Sequence, residues 1–403
     1  MIKVLHVINS LAVAGAELMM VRLVEAMDRE RFEHTVVSLL DVDGLAPRLR
    51  SAGIRCETVG MRGGASVASG LPRLIKLMRE VRPDVVQTWM YHSNLLGLLA
   101  NRCAGNAPLS WSIHASELDP STCSSALKVS IRLGARLSSV PRATVFNSYA
   151  AAKWHQRIGY RFRHWKFIPN GIAVDSYRPD AFARERFRNE IGLRPDAVLI
   201  GTVGRYDPLK DYPTFLRAFA QLHVVEPKAH AVMVGDELDA DNRELMQLAS
   251  TLGVAGKVHM LGARADIHSI LPGFDVFVLA SSSEACPTAL IEAMACGVLC
   301  VATDVGDAAR IIAGTGKVAP PRDPAALCVA CIEVLAKRSD FPGAAARQRI
   351  LDSYSLGSMT KGFADLFEDL VERRAGLAHP HSTFSIANQA GDTTVTSEPR
   401  ELR

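Results

Sequence analysis

The chain has 403 residues, enough for two domains with full cores, and its 48% hydrophobic and 22% charged content is that of a soluble globular protein. Its 46 Lys and Arg against 42 Asp and Glu leave a net charge of +4, too mild to argue for a nucleic-acid partner. No apolar run approaches the roughly 20 residues that cross a bilayer, and the apolar run in Met1–Asn9 is too short and too polar for a signal peptide and reads as a first strand.

In chain order, short apolar runs alternate with helical patterns. Strands are predicted at 3–9, 34–40, 54–59, 84–89, 109–114, 142–147 and 166–169, with helices between them such as 16–28, 71–81 and 93–103. Phe167-Ile-Pro-Asn-Gly171 and Tyr177-Arg-Pro179 read as a domain end and a linker. A second series follows at 197–203, 229–234, 258–261, 276–279 and 298–302. The pattern predicts an α/β protein with two doubly wound, Rossmann-like domains facing across a cleft. Residues 1–173 form the first domain and 174–355 the second. A helix over 356–375 carries Phe363, Leu366, Phe367 and Leu370 on one face. The stretch 376–403 has no apolar periodicity and reads as a disordered tail.

Eight cysteines show no secreted-type framework. Cys328-x2-Cys331 and Cys296-x3-Cys300 have tempting spacings, yet neither has a second pair or a nearby His, so packed thiols in a reducing cytoplasm are expected.

Ligands of doubly wound sheets bind at the carboxyl ends of the strands, so chemistry-bearing residues there matter most. Gly15, in Val13-Ala-Gly-Ala-Glu17, follows the first strand and opens a helix; the segment suits a phosphate or is a plain strand–helix turn. His114 ends a strand, either as a donor into the cleft or as a packed histidine. Arg205 and Lys210 follow the strand at 197–203 and precede a helix, where two cations can neutralise a diphosphate without a metal, unless they are solvated surface charges. Glu284 stands before a helix start and Glu292 about two turns on, with Pro287 and Thr288 suited to the first turn between them. Carboxylates in that position accept hydrogen bonds from sugar hydroxyls. Asp41-x-Asp43 and Asp239-x-Asp241 match a pattern that holds divalent ions on sugar diphosphates, although Asp just past a strand is also a turn and cap former.

A charge asymmetry stands apart from the cleft. Between Pro120 and Val174 there is no Asp or Glu, and Lys128, Arg132 and Arg136 form one stripe of a helix over 124–139, beside Val129, Leu133 and Leu137. This is a surface for anionic lipid headgroups, a guide for a phosphate-bearing acceptor, or a solvated helix face.

Together these residues resemble the retaining, GT-B-fold glycosyltransferases of family 4. The pieces that carry the resemblance are Phe146-Asn-Ser148, Ile168-Pro-Asn-Gly171, Gly204-Arg205 with Lys210, Gly235-Asp236, Ser283-Glu284 through Glu292-Ala-Met-Ala-Cys-Gly297, and Val301–Gly306, in this order over most of 1–370. The resemblance implies that Arg205 and Lys210 hold the donor diphosphate and Glu292 the ribose hydroxyls. It further implies that Glu284 and the backbone around Ala285, Cys286, Pro287 and Thr288 hold the donor sugar, that Gly15 approaches the pyrophosphate, and that His114 lies near the reacting sugar. No metal and no cofactor beyond a nucleotide-diphosphate sugar is implied. The expected activity is sugar transfer to a glycan or lipid-linked acceptor in bacterial surface polysaccharide assembly. The expected place is the cytoplasm, at the inner face of the membrane. A 2-epimerase, a hydrolase or a non-catalytic sugar-nucleotide binder on the same fold are the alternatives. Ala14, Ala285-Cys286 and Thr288 depart from the usual Gly, Gly-Phe or Gly-Leu, and Asn; the extra methyl of Ala285 restricts which sugar fits.

Overall fold

The computed structural model describes residues 1–41, 44–61, 67–115, 118, 123–194, 196–337 and 340–376. The first sheet contains β1 (Ile2–Ile8), β2 (Phe32–Leu40), β3 (Arg55–Met61), β4 (Val85–Trp89), β5 (Leu109–Ile113), β6 (Ala143–Phe146) and β7 (Trp165–Phe167). The second contains β8 (Val198–Val203), β9 (Ala229–Val234), β10 (Val258–Met260), β11 (Val276–Leu279), β12 (Leu299–Thr303) and β13 (Lys317–Ala319). Their orders are β3-β2-β1-β4-β5-β6-β7 and β10-β9-β8-β11-β12-β13, and every pairing is parallel. These are two Rossmann-like domains, the GT-B architecture.

Burial on both faces explains the apolar runs: β4, β5, β6 and β11 are buried at every position. Strand order reverses between β1 and β4 and again between β8 and β11. At the second reversal only Val276↔Ile200 and Phe277↔Gly201 pair, so β8 and β11 part towards their carboxyl ends and open a crevice there. The predicted strands recur with ends shifted by one or two residues. Sequence reading did not foresee β13, whose three residues carry too short a pattern to stand out.

The chain crosses between domains twice, at adjacent places. Ile172 donates its amide to the Tyr354 carbonyl at 3.0 Å, and Leu356 donates to the Ile172 carbonyl at 2.8 Å. Gly171 is required here, because a Cβ on it would lie 2.7 Å from Met359 Cβ and 2.9 Å from the Ser355 carbonyl oxygen. After the second crossing, the helix Leu356–Ala375 lays Phe363, Leu366, Phe367 and Leu370 into the core of the first domain, against Val4, Ile8 and Trp89. Its C-cap, Gly376, takes the left-handed conformation that ends a helix without strain. The tail was expected from 376; Gly376 instead caps the helix, and 377–403 lies outside the described residues.

Cys296 and Cys300 lie in one apolar cluster of the second domain and Cys328 and Cys331 in another, all four buried as free thiols. Burial pushes the Cys296 thiol up to about 12.

Candidate active site in the interdomain cleft

The carboxyl ends of the two sheets face each other. The loop after β6 touches the loop after β12, where the Asp307 carboxylate accepts from Ser148 Oγ and from the amides of Tyr149 and Ala150, each at 2.9 Å.

The second domain's side of the cleft is built from three loops that lock one another. Gly204 and Gly235 follow β8 and β9 in direct backbone contact, and a Cβ on Gly235, at φ +154°, would strike the Gly204 carbonyl. Asp207 accepts the Leu209 amide at 2.9 Å and opens a short 3-10 turn, Pro208–Lys210. Asp211, at φ 49°, then caps the helix Tyr212–Val225. This turn aims Lys210 at the loop after β11: its Nζ meets Glu284 Oε1 at 2.6 Å, and Ser281 Oγ donates to the same oxygen at 2.8 Å. The Ser282 amide donates to the Leu209 carbonyl at 2.8 Å, so the two loops move together. Lys210 and Glu284 are thus joined at the reversal point of the second sheet. Arg205 is turned outwards, 64% exposed, and pairs with Asp207 at 3.0 Å.

Behind Glu284, Pro287 precedes the helix Thr288–Ala295 without any side-chain cap, which leaves first-turn amides for a ligand. Cys286 and Pro287 are buried, while Ala285 and Thr288 are half-buried. Asn170 of the linker reaches this loop. Its Nδ2 lies 3.3 Å from both the Cys286 carbonyl and Thr288 Oγ1, and its Oδ1 accepts from Asn147. Burial pushes the Cys286 thiol up to about 12, so it is a packed neutral thiol rather than a nucleophile.

Glu292 takes other partners than Lys210. Four residues after Thr288, it shares that residue's helix face, which is turned to the linker and the first domain. There it meets Arg22 at 3.7 Å and the Tyr177 hydroxyl, and it is 8% exposed. Burial raises its carboxyl to about 7 against the opposing pull of Arg22 and Tyr177.

On the first domain's side, the helix Gly15–Ala26 begins after β1 with Ala14 as a cap that has no side-chain bond, and Gly15 is exposed with open space where a Cβ would stand. His114 follows β5. One ring nitrogen, Nε2, lies 2.8 Å from Ser112 Oγ; Nδ1 has no partner in hydrogen-bond geometry, although Asn170 is close enough to oppose the shift of its pKa. Burial lowers His114 to about 4, so it is neutral at pH 7. Trp89 packs on it at 5.2 Å and rests on a buried histidine pair. Indole N–H is donor only, so the Trp89–His6 contact of 3.2 Å fixes His6 Nδ1 as acceptor. His6 Nε2 then carries the proton that His34 Nδ1 accepts at 3.0 Å.

Of the two Asp-x-Asp motifs, Asp239 accepts the Asp241 amide at 3.0 Å as a turn anchor. In the other, Asp43 lies outside the described residues. Sequence reading assigned no role to Asp307, Arg22 or Tyr177. Asp307 directly follows the Val301–Gly306 motif and Tyr177 opens the linker segment Tyr177-Arg-Pro179, whereas no local signal marked Arg22.

Two family descriptions match the chain in tandem, Glycosyltransferase Family 4 over residues 13–176 and Glycosyl transferases group 1 over 197–337. The chain belongs to the group 1, family 4 glycosyltransferases. Anabaena HepE solved in complex with UDP superposes on this glycosyltransferase with a TM-score of 0.80 over 91% of this chain and 99% of that one, at 22% identity. WaaG, a glycosyltransferase involved in lipopolysaccharide biosynthesis, gives 0.68 over 90% and 99% at 16% identity, a likeness of fold. The putative glycosyltransferase EpsF of Bacillus subtilis is 30% identical over 142 residues, 34% of this chain and 35% of its own length. An Escherichia coli UDP-Gal:alpha-D-GlcNAc-diphosphoundecaprenol alpha-1,3-galactosyltransferase is 26% identical over 241 residues, 58% of this chain and 60% of that one. These alignments therefore span only about a third to three-fifths of the curated relatives.

Proposed function

We propose that the protein is a retaining glycosyltransferase that moves a sugar from a nucleotide-diphosphate sugar to a glycan or lipid-linked acceptor of bacterial surface polysaccharide assembly. The Lys210–Glu284 pair carries this reading. It sets a cation and a carboxylate side by side at the sheet's reversal point, next to an uncapped helix start. The UDP complex of Anabaena HepE and the lipid-diphosphate acceptor named for the Escherichia coli relative support the donor and acceptor classes.

In this reading Lys210 keeps one N–H on Glu284 and offers the others to the donor diphosphate, with Arg205 on the outer side. Glu284 Oε1 is engaged by Lys210 and Ser281, which leaves Oε2 to accept a sugar hydroxyl. Fixed cations and helix N-termini stabilise the negative charge that grows on the leaving diphosphate, the work a metal would otherwise do. The diphosphate leaves from the face on which the acceptor enters, and its oxygen takes the acceptor's proton. Neutral His114 supplies a hydrogen bond near the reacting sugar. The extra methyl of Ala285 narrows the sugar pocket, and Glu292 takes the ribose once Arg22 yields it. Incubation with a nucleotide sugar decides the reaction class: sugar transfer that needs an acceptor is expected, and epimerised or hydrolysed donor formed without acceptor contradicts it.

The same reading extends to an anionic membrane at the inner face of the cytoplasmic membrane. On the helix Ser125–Leu137, Arg132 and Arg136 are exposed beside Val129 (52% exposed) and Leu133 (41%). Arg132 and Arg136 also line an open cavity of about 540 Å³ with Ile158 and Arg161, and Lys128 extends the stripe. Among the described residues, no helix is long and apolar enough to cross a membrane. Charge reversal at Lys128, Arg132 and Arg136 is expected to abolish co-sedimentation with anionic vesicles; unchanged sedimentation removes the membrane partner.

A further inference from the structure

We propose that Asp307 is a positioning residue that fastens the donor loop of the second domain to the first, so that the site is complete only with the cleft closed. The role rests on the transferase reading above, although its closure component can be measured without activity.

Asp307 follows β12 and is 4% exposed. Its two carboxylate oxygens take three donors from the other domain: Ser148 Oγ and the amides of Tyr149 and Ala150. Those amides are the first two of the helix Tyr149–Arg157, where a carboxylate also meets the positive end of the helix dipole. Ser148 is the cap of the same helix, accepting the Ala151 amide at 3.2 Å while donating to Asp307. The carboxylate thus occupies an anion site of the first domain, which it reaches only with the cleft closed.

The other end of Asp307 is held as firmly. Its amide donates to the Ala285 carbonyl at 3.0 Å, within the loop that carries Glu284. Gly306 makes that approach possible: at φ +56° it lies against the Glu284 and Ala285 carbonyls, and a Cβ would clash with both. One residue therefore connects the first domain to the backbone of the donor loop. Arg310 strengthens the contact, with its guanidinium 4.0 Å from the Tyr149 ring centre. Opening the cleft frees all these groups to water, so the lock is reversible rather than permanent.

The test is a double-substitution cycle of Asp307→Ala and Ser148→Ala, read by transfer kinetics, donor titration and solution X-ray scattering. Asp307→Ala is expected to lower kcat about 100-fold, the scale of a misplaced reacting group, while donor affinity changes less than about threefold. Its radius of gyration without donor should exceed that of the wild type. Asp307→Asn, which keeps an acceptor oxygen without the charge, should fall between. Ser148→Ala should lower kcat in the wild-type background and have no further effect beside Asp307→Ala. Additive effects, or an unchanged radius and kcat in Asp307→Ala, overturn the lock. Should Asp307→Ala fail to fold, Ser148→Ala, on the other domain, must by itself enlarge the radius and lower kcat. If no transfer is found in the wild type, the transferase reading fails, and the scattering comparison still decides whether Asp307 closes the cleft.

Discussion

Replacing Lys210 with alanine is expected to lower kcat/KM for sugar transfer by about 100- to 1,000-fold, the cost of removing one fixed donor from a developing charge. The reason is position. Lys210 is held by a 3-10 turn between two capping aspartates, is 28% exposed at its side chain, and touches the Glu284 carboxylate in the loop that leads into the uncapped helix. A donor diphosphate entering the crevice meets this ammonium already oriented, with little reorganisation to make. Its removal also leaves the Glu284 carboxylate facing the diphosphate with only Ser281 to hold it, so attraction turns to repulsion. Arg205→Ala should cost less, because the guanidinium is largely solvated and already shared with Asp207. Steady-state kinetics of the two variants decide this; equal losses, or a loss confined to Arg205→Ala, would reverse the assignment.

Acid should weaken the fold through its buried histidines. Burial lowers the pKa of His34 from 6.5 to about 4 and that of His6 well below 6.5. A histidine kept neutral in the folded state contributes stability that is complete above the unfolded pKa of 6.5 and is lost as pH falls towards the folded value. For His34 this amounts to about 2–3 kcal/mol between pH 7 and pH 4.5, from the free energy of one pKa unit. Its partner cannot adapt, because His6 must keep Nδ1 free of a proton to accept from Trp89. Glu292 acts in the opposite sense: its raised pKa means that stability is lost as pH rises from 4.5 through about 7. Urea unfolding should therefore show a smaller acid loss in His34→Gln than in the wild type, by about 2–3 kcal/mol. An equal loss in both would remove the histidine pair as the cause. Because Trp89 lies between that pair and His114, the same acid range should disturb the floor of the cleft.

Much of the architecture is legible in the sequence because parallel strands buried on both faces leave continuous apolar runs such as Val276–Leu279. The Lys210–Glu284 encounter was half legible. Each residue stands at a predicted strand end, but only the closing of the sheet places β8 beside β11. The Glu284-x7-Glu292 spacing put both carboxylates about one helix start but gave no sign of what Glu292 meets. The helix from Thr288 turns Glu292 towards Tyr177 and Arg22, a partner from the other end of the chain that no local pattern announces. Asp307 was illegible for the same reason. An aspartate after a strand is an ordinary turn former, and its three partners become visible only when the domains are set face to face.

The proposed function rests on the cleft between the two domains binding a nucleotide-diphosphate sugar through Lys210 and Glu284. The most direct measurement is a thermal-shift titration of the wild type and of Lys210→Ala with a panel of nucleotide diphosphates and their sugars, since a ligand of the folded state raises the midpoint by mass action. At least one nucleotide sugar is expected to stabilise the wild type in a saturable manner, and Lys210→Ala is expected to lose that shift. No shift with any member of the panel, or the same shift in the variant, would contradict this reading.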